Sequence, residues 1–141
     1  MDDMVDEVEL DFIILADHAE ILNGKTYIMG GAWNQYAVVD TSQHLIFAVV
    51  IGLIVNWHGT NKNHIIDVSI EDEDGNIIGE THKATLTVGR SVHAIEGQSF
   101  RVSLALRQQL LLPKIGTYRV VASTGGKTKT ATFFTTMMQV E

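Results

Sequence analysis

Cysteine is missing from this chain of 141 residues. Its absence excludes a thiol nucleophile, a cysteine zinc site and thiol redox chemistry, and it fits a reducing cytoplasm. A domain of this length buries roughly two thirds of its unfolded surface, so it needs no disulfide or metal to fold. Proline occurs once, at Pro113, and there is no low-complexity stretch, internal repeat or domain boundary. The longest apolar run, Leu45–Val55, falls well short of the ~20 residues of a membrane helix. The first nine residues, with five acids among them, have neither the positive start nor the apolar stretch of a secretory signal. These absences predict a soluble cytoplasmic protein without membrane contact. They divide it into a flexible acidic tail over residues 1–8 and one domain over 9–141.

Positive charge is scarce where negative charge is abundant. Residues 1–82 carry 15 acidic and 2 basic side chains, and residues 83–141 carry 2 acidic and 8 basic. The two parts hold −13 and +6, giving the chain its −7. The acidic total disfavours nucleic acid as a partner. In a sandwich, strands distant in sequence become neighbours, so the split predicts that acidic strands of the first part neutralise basic strands of the second.

Apolar residues recur with a period of two almost everywhere. Phe100, Val102, Leu104 and Leu106 alternate with Arg101, Ser103, Ala105 and Arg107, and Ile66, Val68 and Ile70 with Asp67, Ser69 and Glu71. Each series reads as a half-buried antiparallel strand. Asn23-Gly24, Asp74-Gly75 and Gly125-Gly126 accept the positive φ of tight hairpins. Eight or nine strands follow, at roughly 9–19, 25–33, 44–56, 64–72, 76–80, 82–88, 99–111, 117–123 and 128–137. With Gly125-Gly126 as a two-residue loop, Tyr118 faces Phe133, Val120 faces Ala131 and Arg119 faces Thr132. The fold class is a single-domain antiparallel β-sandwich of immunoglobulin type. Tyr118, four residues past Lys114, suits a tyrosine corner.

Two segments break the alternation. Leu45–Val55 and Phe12–Leu15 are apolar at both parities. One face of such a strand needs cover beyond the opposing sheet, from a loop, a tail or another subunit.

Catalytic patterns are absent. Gly126-Lys127-Thr128 fails as a phosphate loop because position 121 is Val and a strand follows. No Ser stands in a Gly-x-Ser-x-Gly elbow. His64 and Asp72, about 26 Å apart on an extended strand, do not chelate one ion. Glu71–Asp74 reads as a solvated acidic turn and lacks calcium-loop spacing. The loop over 56–64 is the remaining candidate, with Trp57, His58, Asn61 and His64 bunched at one end of a sheet as weak ligand-binding residues. Internal bracing of the loop is the simpler reading of the same residues. No catalytic residue, metal ligand or cofactor is assigned.

Several segments resemble an uncharacterised family of small bacterial β-sandwich proteins, a domain of unknown function. They are Leu10-Asp11-Phe12 through Ala16-Asp17-His18-Ala19-Glu20, Asn23-Gly24-Lys25, Tyr27-Ile28-Met29-Gly30-Gly31 with Trp33, and Trp57 with Thr60-Asn61 and His64. Glu71-Asp72-Glu73-Asp74-Gly75 and Leu112-Pro113 with Gly116-Thr117-Tyr118 complete the likeness. It implies a sandwich of bacterial or phage origin, and no activity. Leu45–Val55 departs from it by being more apolar. The functional expectation is a non-enzymatic binding or assembly module that self-associates, with an unknown protein partner as a further possibility. The alternatives are a metal-dependent enzyme using histidines near 56–64, and a phage or particle structural protein.

Overall fold

Residues 7–138 are described by the computed structural model. Nine strands run in order: β1 (Val8–Leu22), β2 (Lys25–Gly31), β3 (Gln35–Val38), β4 (Leu45–Val55), β5 (Asn63–Glu71), β6 (Ile77–Thr87), β7 (Phe100–Leu110), β8 (Thr117–Thr124) and β9 (Lys127–Met137). One sheet has the order β2-β1-β4-β7 and the other β3-β9-β8-β5-β6. The hairpins β5–β6 and β8–β9 each stay within one sheet. The chain crosses between sheets from β2 to β3, from β3 to β4, from β4 to β5, from β6 to β7 and from β7 to β8. This is the wiring of an immunoglobulin-like sandwich.

The period-two segments fold as their pattern requires. In β8 every even-numbered residue from Tyr118 to Thr124 is buried, while the odd-numbered ones are half-buried. The β8–β9 register pairs Tyr118 with Phe133, Arg119 with Thr132 and Val120 with Ala131, as the Gly125-Gly126 turn predicts. Both turn glycines have positive φ, 57° and 80°. The Tyr118 hydroxyl donates to the Lys114 carbonyl at 2.6 Å and forms the expected tyrosine corner. Burial pushes the phenol pKa up, and the Lys114 bond partly opposes that.

Four details differ from the sequence reading. The parallel pairing of β3 with β9 is an exception to the antiparallel pattern. β3 is only four residues long and follows Trp33, too short for alternation to register. Segments 76–80 and 82–88 form the single strand β6, because Gly79, at φ 73°, bulges without ending it. The Asp74-Gly75 turn is a longer loop, in which Asp72 accepts from the backbone N–H groups of Asp74 and Asn76, both at 2.9 Å. Those bonds, led by that from Asn76, hold the Asp72 carboxyl below its usual pKa. Of the tail expected over 1–8, residues 1–6 lie outside the described residues. Val8 opens β1 and is buried, and the Glu7 carbonyl accepts from the Asn56 N–H at 3.1 Å.

β4 explains its own composition. It lies between β1 and β7, with Phe47, Val49, Ile51 and Leu53 turned into the core. Its opposite parity is covered in part by side chains of the same sheet. A Cβ at Gly52 would fall 2.0 Å from the Phe12 ring, so that ring lies directly over the glycine. Val50 and Ala48 are buried as well, whereas Ile46 stays 43% exposed. The Phe12 ring of one two-faced segment thus covers part of the outer face of the other, around Gly52.

Candidate functional site

At the end of β4 the chain turns through Asn56 into a short 3-10 turn, Trp57–Gly59. The Asn56 side chain accepts from the Gly59 N–H at 2.9 Å, which starts the turn. The Thr60 hydroxyl donates to the Trp57 carbonyl at 2.6 Å and closes it. Asn61 takes φ 61°, a conformation asparagine tolerates, and its N–H donates to the Val88 carbonyl at 2.7 Å. His64, the first core-facing residue of β5, is 8% exposed and donates its Nε2–H to the Gly59 carbonyl at 2.7 Å. That bond fixes the tautomer and takes Nε2 out of use as a ligand. Lys62 Nζ and Glu7 Oε1 meet at 2.5 Å, and the bond lowers the Glu7 pKa.

The organising residue is Arg90, which the sequence reading passed over. Its guanidinium lies 3.6 Å from the centroid of the Trp57 ring. Its Nε donates to the Thr60 hydroxyl at 2.7 Å and its Nη2 to the Trp57 carbonyl at 2.8 Å. The only signal in the sequence is a lone cation in the long segment between β6 and β7. A lone loop arginine does not announce its partners.

The four candidate residues therefore share one end of the sandwich but not one site. Trp57 is capped by Arg90, the His64 ring is bonded to the Gly59 carbonyl, and the Asn61 backbone N–H to the Val88 carbonyl. His58 is exposed. The arrangement is a brace. Among the described residues, no three histidine, aspartate or glutamate side chains cluster closely enough to hold a metal ion. Replacing Arg90 by alanine is expected to destabilise the fold by about 1–3 kcal/mol, from the lost charged hydrogen bonds and ring contact. Urea unfolding followed through tryptophan fluorescence measures this, and an unchanged midpoint would refute the bracing role.

A different feature faces outward. β1 continues past β4, whose pairing with it stops at Ala16, and runs with β2 as a two-stranded arm to the Asn23-Gly24 turn. β2 has no substantial packing partner among the strands except β1. Along the arm Leu22, Tyr27 and Met29 are 53%, 52% and 66% exposed. His18 and Glu20 meet at 3.1 Å on its surface.

The charge split is reduced by the fold. Asp11 pairs with Arg101 at 2.6 Å and Asp67 with Lys83 at 2.8 Å, each joining the acidic part of the chain to the basic part. A family model matches residues 11–136, from within β1 to within β9. The chain belongs to DUF6941, a family of unknown function. No curated protein matches it. The DUF6941 segment takes in the arm, the Trp57–Arg90 brace and both sheets. No helix among the described residues is long and apolar enough to cross a membrane.

Proposed function

We propose that this domain is a non-enzymatic assembly module that self-associates through its arm and the outward face of the four-stranded sheet. The observation that carries the reading is the arm itself. A two-stranded hairpin is marginal in water when nothing packs against it, yet this one holds Tyr27 and Met29 in the open. Its register aligns Met29 with His18 and Tyr27 with Glu20, on the face that continues from Phe12 and Ile14. Partly exposed Ile46 and Ile54 of β4 extend that apolar stripe.

A second copy suits the stripe as occupant because its two borders are of opposite sign. Glu9 and Glu20 lie along β1 and Arg107 along β7, with β4 between, while Asp11 and Arg101 close on each other across β4 within one copy. A twofold axis parallel to the strands would set each basic border against the acidic border of the other copy. A bacterial, cytoplasmic setting belongs to the same proposal, supported by a chain without cysteine.

Light scattering after size exclusion, at low and high salt, tests the reading. The expected result is a dimer that weakens as salt screens the borders. Met29→Asp, at an exposed position, should give a folded monomer. A wild-type chain that is monomeric at both salts would overturn self-association.

A further inference from the structure

We infer that the open edge between β6 and β7 binds a small zwitterion of the aliphatic α-amino acid type. A cleft of about 300 Å³ lies there, near the lower end of the size range of small-molecule sites. Three observations define its chemistry.

The first is a buried amide with nothing to bind. Gln108 lines the cleft, is 3% exposed, and has no hydrogen-bond partner for Nε2 among the described residues. It occupies the core-facing parity of β7, where Phe100, Val102, Leu104, Leu106 and Leu110 are all apolar. A leucine would continue that row, whereas an unmet buried donor works against folding. An acceptor arriving from the cleft would satisfy it.

The second is a pair of opposite charges left apart. Glu80 and Arg107 both line the cleft, and neither makes an ion pair among the described residues. A carboxylate alone would meet repulsion from Glu80, and an amine alone repulsion from Arg107. A molecule carrying both groups fits between them, its carboxylate toward Arg107 and Gln108 and its ammonium toward Glu80. Leu110 and Leu111 supply an apolar wall for an aliphatic side chain.

The third is the bulge that carries Glu80. The β5–β6 register jumps from Val68↔His82 to Ile70↔Ile78, leaving Gly79, Glu80 and Thr81 opposite Ser69 alone. Gly79 adopts φ 73°, and no atom lies within 4 Å of where its Cβ would stand. Bulges re-aim side chains at strand edges, and this one swings Glu80 off the ladder at the cleft.

Calorimetric titration of the full chain tests the inference with three probes: L-leucine, 4-methylpentanoate lacking the ammonium, and isopentylamine lacking the carboxylate. Leucine should give saturable heat, and each half-ligand should bind at least about 10-fold more weakly. Glu80→Gln and Arg107→Gln, both at exposed positions, should each weaken leucine about 10-fold, and Gln108→Leu should abolish binding while the melting temperature holds or rises. If Gln108→Leu fails to fold, the two exposed variants decide. No saturable heat with leucine, or affinity unchanged in the folded variants, would overturn the inference. Arg107 serves both readings, so Glu80→Gln, which touches only the cleft, and Met29→Asp, which touches only the arm, tell the failure of one from the failure of the other.

Discussion

Phe133→Ala is expected to destabilise the domain by about 3–5 kcal/mol, the range for truncating a fully buried aromatic. Phe133 is 0% exposed and lies where the sheets meet. Its ring stacks on Tyr118 at 5.8 Å and meets the edge of Phe47 at 5.6 Å and of Trp33 at 6.5 Å. Five of the ten aromatic residues thus form one chain of contacts, with Tyr36 as the fifth through Trp33 and Phe47. Domains of this size are typically stable by only about 5–15 kcal/mol, so this one truncation threatens the fold. Phe134→Ala is the matched control. That neighbour points outward and is 43% exposed, so its loss should cost no more than about 1 kcal/mol. Urea unfolding of both variants gives the comparison, and similar midpoints would show that the aromatic chain is not the keystone.

Gly59→Ala is expected to cost about 1–3 kcal/mol through crowding. Gly59 has no positive φ, so strain in its own backbone is not the reason. A Cβ there would stand 2.2 Å from the Glu7 carbonyl oxygen and 2.9 Å from its carbon. Those are backbone atoms, and relief requires moving the chain at the start of β1. The Glu7–Asn56 hydrogen bond and the Glu7–Lys62 pair would go with it. Amide exchange should therefore accelerate at Asn56 in the variant. Gly89→Ala is the control, since the nearest atom to its Cβ is Asn61 Oδ1 at 3.9 Å. If both alanines are tolerated alike, close approach at Gly59 is not limiting.

The strands were legible because their cause is local. Residues such as Tyr118, Val120 and Ala122 alternate with polar neighbours, and alternation places one set inside whatever the sheet packs on. The Gly125-Gly126 register and the Tyr118 corner were legible for the same reason: each spans a few residues of continuous chain. β3 was not, since four residues carry too little pattern. The bulge at Gly79 read as a break because a glycine in a strand looks the same whether the strand ends or bends.

Contacts between distant residues were the part that sequence could not supply. Trp57, Asn61 and His64 advertised a polar loop, but Arg90, 33 residues from Trp57, makes it a brace. The loss of alternation in Leu45–Val55 showed that a second face needed cover. Only packing showed that Phe12 supplies it over Gly52, and that the arm beyond Ala16 is what stays bare. Gln108 carries no signal of its own in the run Arg107-Gln108-Gln109. Its burial beside unpaired Glu80 and Arg107 emerges only when two sheet edges meet.

By itself the sequence determined an all-β sandwich without thiol chemistry, its strand phases, its last hairpin and its charge asymmetry. All of these follow from side-chain type and short-range periodicity. The tertiary structure decided where opposite charges neutralise, which apolar face remains open and which polar groups are left without partners. Those depend on residues far apart in the chain, and the pairing of strands alone brings them together.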